Sequence, residues 1–173
     1  TVLPTGFPVD FLLQCLPTLG SQTQLNHSVS TRITGFNKYD SSLATNSTTD
    51  EASIEVAEGL DSNTSYKVAG EYGTTSSIKL HHAFKRAKGC LDVAPYMGDD
   101  EYPLYHNLGA VPEMIWVKSR DTQKNWLVYH KDLGNAGHME IDNQAAANTS
   151  SSVWDTTSPT DQKFYVGSYI SQQ

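Results

Sequence analysis

The stretch HNLGAVPEMIWVKSRDTQKNWLVYHKDLG, residues 106–134, decides the fold class. It sets two apolar-aromatic runs, Met114–Ser119 and Trp126–His130, on either side of a polar connection, Arg120–Asn125. Short runs rich in Val, Ile, Trp and Tyr, bounded by Gly, Pro, Asn and Asp, are the mark of strands joined as a hairpin. In WLVYHK the alternation puts Trp126, Val128 and His130 on one face and Leu127, Tyr129 and Lys131 on the other. EMIWVK is apolar on both faces, the pattern of a strand buried at the centre of a sheet. Trp116 and Trp126 are therefore expected in a core.

A fainter version of this device stands near the start of the chain. GFPVDFLLQC lies over GAVPEMIWVK, with Gly6 on Gly109, Asp10 on Glu113 and Leu12 on Ile115. Further on, LATNSTT (from Leu43) lies over MEIDNQA (from Met139), and SYKVAG (from Ser65) over KFYVGS (from Lys163). Matches in the same order at similar spacing indicate an internal repeat. The chain is expected to hold two related units, 1–88 and 89–173. Unit one is expected to lack an opening strand, since only TVLPT precedes Gly6. Unit two is expected to lack a closing strand, since nothing after SYISQQ matches SSIKLHHAFKRAKG. A longer chain or a neighbouring copy would complete the exposed edges.

Outward from these stretches the pattern stays β. Further strands are expected at Gln24–Val29, Arg32–Phe36, Ser53–Ala57, Tyr66–Ala69, Ser77–Phe84, Leu91–Tyr96, Leu104–His106, Met139–Ile141 and Phe164–Val166. Val9–Cys15 is the first of the set. Turn clusters such as PTLGS, DSSLATNSTTD, EYGTTS, RDTQKN and DTTSPTD separate them, and NQAAANTSSSVW, too Ser/Thr-rich to persist as a helix, is expected as a short turn or loop. Ser77–Phe84 should turn Ile78, Leu80, His82 and Phe84 to one side. Regularly spaced short strands with such turns point to an all-β chain built as two antiparallel sandwiches. Composition agrees: about one residue in five is Ser or Thr, a usage that suits half-buried pleated surfaces better than helices.

Charge excludes several function classes. The formal net charge is -7, which opposes nucleic acid, whose affinity comes from Lys and Arg on phosphates, and anionic membrane surfaces alike. The one basic cluster, Lys85–Lys88, has the character of a solvated strand end. No apolar run approaches the length of a membrane span, so no membrane insertion is expected. Two cysteines, Cys15 and Cys90, make no disulfide framework and read as small buried hydrophobes. Asn26, Asn46, Asn63 and Asn148 head Asn-x-Ser/Thr triplets, which arise by chance in so polar a chain.

From Ala83 to Gly167 the chain resembles virion structural and tail-fibre proteins of marine tailed phages, cyanophages among them. Those proteins carry FKRAPGFFDVVxYTG, HNLGxxPELxIVKxR, WxVYHxxLG, LxLNTTxA and WxxTxPTxxxFxVG. Here the pieces are Phe84-Lys85-Arg86-Ala87, Asp92-Val93, His106-Asn107-Leu108-Gly109, Pro112-Glu113-Met114-Ile115, Val117-Lys118, Arg120, Trp126, Val128-Tyr129-His130 and Leu133-Gly134. They continue with Trp154, Thr156, Pro159-Thr160, Phe164 and Val166-Gly167. The resemblance is fainter over Gly6–Ala69. It implies concanavalin-like or jelly-roll sandwiches in an oligomeric virion appendage, assembled in the host cytoplasm. Copies of itself, other virion proteins and a host surface glycan are the partners it implies. It brings no catalytic residues and no cofactor. The chain departs from the family at Cys90-Leu91, where an aromatic pair is usual, at Pro95, and at IDNQ in place of Asn-Thr-Thr; the usual closing strand is missing after Ile170.

The chemistry-bearing residues are few. Glu140-x-Asp142 begins like the nucleophile strand of laminarinase-type glucanases, but Ala145 and Ala146 stand where the general acid would be, so no catalytic residue is assigned. His81 and His82 are adjacent on a strand and diverge, so they cannot share an ion. His106 and His130 are expected to hydrogen-bond across strands. GDDE, residues 98–101, lacks the spaced acids of a calcium loop, and no metal site is expected. The aromatic residues carry the binding hypothesis, since rings stack on sugars. Trp154, in a polar loop beside Asp155, is the candidate glycan platform, with a plug over a sandwich end or an intersubunit anchor as its alternatives. Tyr102 and Tyr105 join it. The expected role is structural and adhesive. A lectin-like module is the main rival, and a glycan depolymerase with a site shared between chains is the second.

Overall fold

The computed structural model describes residues 2–16, 26–32, 41–45, 48, 52–53, 60, 62–67, 80–97 and 103–171. The chain is all-β: its described residues form thirteen strands, one 3-10 turn and a single short helix. It divides into two compact units, Thr1–Arg86 and Ala87–Gln173. The division falls two residues before the expected one, because Ala87 bridges Leu91 and Gly89 donates its N–H to Leu108 O at 2.7 Å.

Unit one holds β1 (Val2–Pro4), β2 (Phe11–Leu16), β3 (Asn26–Thr31), β4 (Ser41–Ala44), β5 (Ala52–Ser53), β6 (Ser65–Lys67) and β7 (Leu80–Phe84). Five of these form one antiparallel sheet in the order β5-β4-β3-β2-β7, and β1 pairs with β6. Val9, Leu12, Leu60 and Tyr66 form the core, with Leu3, Phe7 and Ala83 packed against it. Asp10 is buried beside this cluster at 6% exposure. Its carboxylate accepts the Arg86 N–H at 2.9 Å and lies 3.4 Å from Arg86 Nε. A buried acid is tolerated only when paired in this way.

Unit two holds β8 (Leu104–Tyr105), β9 (Met114–Val117), β10 (Leu127–His130), the 3-10 turn Lys131–Leu133, β11 (Gly137–Glu140), β12 (Asn148–Thr149), β13 (Lys163–Phe164) and α1 (Ser168–Ser171). Its main sheet runs β12-β11-β10-β9, and β8 pairs with β13. The core gathers Val117, Leu127, Tyr129, Val153, Trp154, Phe164, Val166 and Ile170, with Tyr96, Leu104 and Ile115 against it. Burial raises the pKa of the Tyr96 and Tyr129 hydroxyls. Gly167 is required here for closeness rather than for a turn: a Cβ on it would stand 2.2 Å from Ser152 O.

The two units share one register. Leu13 pairs with Val29, and Val29 with Leu43. Trp116 pairs with Val128, and Val128 with Met139. Placing Leu12 on Ile115 therefore carries Leu43 onto Met139 through two strand pairings, a match also present in the bare sequence. Arg32 N–H to Asp10 O and Lys131 N–H to Glu113 O, each 2.9 Å, close the equivalent hairpins. Gly6 and Gly109, matched in sequence, both adopt the left-handed region, with φ of 75° and 68°.

Several expectations are corrected. Unit one does have an opening strand: Leu3 pairs with Tyr66 in β1–β6 as Leu104 pairs with Phe164 in β8–β13. Ser41–Ala44 and Asn148–Thr149, expected as turn and loop, are strands held by backbone pairing. Leu91–Tyr96 contributes one bridge and no strand. Met114–Val117, expected as a central strand, pairs with β10 alone among the described residues. Trp116 is accordingly 40% exposed, whereas Trp126 is buried. Leu80, His82 and Phe84 share a face as expected, but it is the exposed one, and Ala83 faces the core. Cys90 is exposed. Residues 33–36 of the expected Arg32–Phe36 strand lie outside the described residues.

Asp10→Ala removes a charge-assisted bond at the junction of β2 and β7, a change that should cost about 1.5–3 kcal/mol. Asp10→Asn, which keeps an acceptor for the Arg86 N–H, should cost less. Chemical denaturation with amide exchange read at β2 and β7 checks both.

Candidate binding surface

Trp154 is a core residue and not an exposed platform. It is 2% exposed, sits edge-on to Tyr129 with centroids 5.8 Å apart, and donates Nε1–H to Gly137 O at 3.1 Å. Asp155 follows it in a turn where Asp155 and Thr156 take left-handed φ of 49° and 52°. Asn135 Nδ2 donates to Thr156 O and Ser158 Oγ, both at 3.0 Å, and Thr157 Oγ1 donates to Asp155 O at 3.1 Å. The turn folds the tryptophan inward and leaves Asp155 half-buried without an exposed ring beside it.

Tyr102 lies outside the described residues. Tyr105 is 69% exposed on β8, opposite Lys163 of β13. Alternation sends Leu104 and Phe164 to the core and leaves Tyr105, Lys163 and Tyr165 on the other side. Lys163 Nζ stands 5.5 Å from the centre of the Tyr165 ring, and the lysine's pKa is raised, first by its hydrogen bond to Tyr165. Lys163, paired with Tyr105 across the strands and close to the Tyr165 ring, joins an expected binding residue to new ones. The signal for the new ones is in the sequence: with Phe164 and Val166 pointing in, Lys163 and Tyr165 must point out.

A second exposed feature runs along β9. Met114 is 50% exposed, and Trp116 lies beside it, its Nε1–H directed at Met114 Sδ at 2.9 Å and its ring edge-on to Trp126 at 6.3 Å. Val111 is exposed just before the strand. Glu113 at the strand's start is bound to Lys131 at 2.6 Å, which lowers the glutamate's pKa and raises the lysine's.

The polar residues elsewhere serve local structure. Glu140 accepts from Asn143 Nδ2. Both Asp142 carboxylate oxygens are shielded from solvent without a well-formed hydrogen bond. Burial is the first cause of the acid's raised pKa, and Glu140 adds to it. The backbone N–H groups of Asp142 and Trp126 and the charge of Lys118 offset it in part. His106 Nε2 lies 3.2 Å from Thr160 O and its Nδ1 accepts from Leu108 N–H. His130 caps the 3-10 turn by accepting from Asp132 N–H, and His81 Nδ1 is 3.0 Å from Tyr66 OH. Among the described residues no group of three or more His, Cys, Asp or Glu could hold a metal ion, and no helix is long and apolar enough to cross a membrane. Residues 98–101 lie outside the described residues.

The chain belongs to the family DUF7483, a domain of unknown function, whose model matches residues 18–173. No curated protein and no solved structure shows a detectable match.

Two outcomes are expected from these positions. Trp154→Ala deletes a buried ring and should cost about 3–5 kcal/mol, read by chemical denaturation. Asp142→Asn should raise the melting temperature at pH 7. An acid with a raised folded-state pKa weakens the fold as pH climbs from the ordinary carboxylate range through that raised value. The gain should vanish below pH of about 3, where the unfolded chain is protonated too. Paired melts at the two pH values check it.

Proposed function

We propose that this chain is a structural and adhesive component of a tailed-phage virion, a tail fibre or surface appendage that assembles with copies of itself or with neighbouring virion proteins. The observation that carries the proposal is the repeated register, in which two units reuse one three-stranded meander. Modules repeated along a chain build extended appendages, because each needs only its own core. The motif string from Phe84 to Gly167 supplies the phage setting, and the fold class fits the concanavalin-like sandwiches that the resemblance implies. In each unit the core draws on the meander and on the separate two-stranded pair, the division of labour a sandwich needs. The negative charge favours contacts through apolar and aromatic faces over contacts with phosphate.

A glycan-binding role is the second reading, and the exposed Tyr105, with the half-buried Lys163 and Tyr165 on the same side, favours it. Aromatic faces stack on the C–H groups of pyranose rings, and a lysine beside them can donate to the sugar hydroxyls. The buried Trp154 takes no part.

Mass spectrometry of intact purified virions tests the first reading. It should find the parent protein at several copies per particle; recovery only from the infected-cell lysate would refute it. Glycan-array binding tests the second. Saturable binding should fall at least tenfold in Tyr105→Ala while the melting temperature is unchanged.

A further inference from the structure

We propose that the outer side of the β8–β13 pair is a site for an acidic saccharide, whose ring stacks on Tyr105 while its carboxylate or sulfate group meets Lys163. This inference rests on the glycan-binding reading and deepens it by naming the class of sugar.

The backbone brings the side chains together. Tyr105 and Lys163 are directly opposed in the antiparallel register, with Leu104 opposite Phe164 beside them. Opposed residues share a face and hold their Cβ atoms about 4.5–5.5 Å apart. Leu104 and Phe164 go to the core, so Tyr105, Lys163 and Tyr165 go the other way. The turn before β13 is tied down. Thr160 N–H donates to Lys163 O at 2.8 Å, and Thr160 Oγ1 accepts the Lys163 N–H at 3.1 Å. From the β8 side, His106 N–H donates to Gln162 O at 2.9 Å, and the ring Nε2 lies 3.2 Å from Thr160 O. A ligand therefore meets side chains on backbone that is already ordered, and binding does not carry the ordering cost of a loose loop.

The groups on this side are donors. The Tyr105 ring is exposed, open to the C–H face of a sugar. Lys163 Nζ lies 5.5 Å from the centre of the Tyr165 ring. The lysine's pKa is raised, first by its hydrogen bond to Tyr165 and in smaller part by Tyr105, so it is fully charged at neutral pH. An ammonium has three N–H bonds, and Tyr165 takes one of them. A bond between a charged donor and a charged acceptor is roughly twice as strong as a neutral one, so an acidic sugar gains here over its uncharged analogue. Lysine is a compact point charge rather than a fork, and it suits a carboxylate and a sulfate ester alike. A phosphate monoester, with a charge of about -1.5 to -2 at pH 7, would be left half-neutralised by one cation. The chain's net charge of -7 opposes an acidic polymer at a distance, so the preference arises at contact. Asp161, exposed two residues before Lys163, adds to that opposition.

The test applies the full chain to an array of neutral, uronic-acid and sulfated oligosaccharides and titrates the bound members in solution. Saturable binding is expected for acidic members, about tenfold or more above the methyl ester of the uronate or the desulfated sugar. It should weaken as salt rises from about 50 to about 300 mM. The uronate and sulfate arms identify which acidic group is taken. Lys163→Met should weaken binding about tenfold, Lys163→Arg should keep most of it, and Asp161→Asn should strengthen it. Melting temperatures show which variants are folded, and the exposed Asp161 position keeps the charge test available should Lys163→Met unfold. Binding of neutral sugars alone would overturn the proposal and leave the glycan reading standing; binding of no sugar would overturn both. The proposal also falls if a folded Lys163→Met chain binds acidic sugars as well as wild type, or if Asp161→Asn weakens binding. Equal binding of poly-glutamate would overturn it too, since charge alone would then suffice without a sugar ring.

Discussion

The hairpin register of β9 and β10 is the constraint on which unit two depends. Because side chains alternate, one face of the hairpin offers Ile115, Val117, Leu127 and Tyr129, and the observed register brings all four to the core cluster that holds Trp154, Val153 and Ile170. A one-residue slip would turn Leu127 and Tyr129 out and bring Val128 and His130 in. The Lys131 N–H to Glu113 O bond fixes the open end of the hairpin, and Gly109 in the left-handed region brings the chain into it. Trp154 then needs its Nε1–H satisfied inside the core, and Gly137 O at the start of β11 does so. Sheet register and loop position are in this way one problem with one solution.

Reuse of the register in unit one shows what is fixed and what is free. Strand pairing, the glycine at the entrance and the carbonyl at Asp10 or Glu113 recur. Core identities do not: Ser30 and Ser28 in β3 stand at the places of Tyr129 and Leu127 in β10. Among the described residues the main sheet of unit one has five strands and a buried acid paired with Arg86, and that of unit two has four strands. The acid at the strand entrance follows this difference. Asp10 is buried and bonded to the added strand, and Glu113 is exposed and bonded within its own hairpin.

Much of the fold is legible in local pattern, and what escapes the pattern is nonlocal. WLVYHK sends Leu127 and Tyr129 to the core cluster, as alternation requires, but Trp126 and Val128 on the other face are buried as well. The sequence match of Leu43 with Met139 recurs in the pairings Val29↔Leu43 and Val128↔Met139. EMIWVK is apolar on both faces whether it has one neighbouring strand or two, so the exposure of Trp116 cannot be read from it. The burial of Trp154 is hidden for a related reason. Its neighbours Ser150–Ser152 and Asp155–Thr157 are polar and their segment is a turn, yet two left-handed residues and the close approach of Gly167 to Ser152 fold the ring inward. Ser41–Ala44 and Asn148–Thr149 have little strand propensity and owe their conformation to the partner already in place, which is how β preference commonly works. At the candidate surface Tyr105 is found by residue type, whereas Lys163 and Tyr165 need the inward direction of Phe164 to be known first.

The exposed apolar residues of β9 are managed by their own neighbours. Met114 and Trp116 lie against each other through the indole N–H and the thioether, so part of their apolar surface is already covered. The strand is four residues long, and the Glu113–Lys131 pair stands charged at its entrance. Shortness and charge both disfavour indiscriminate strand pairing, so the aromatic and sulfur surface can stay at the protein's exterior without templating further sheet.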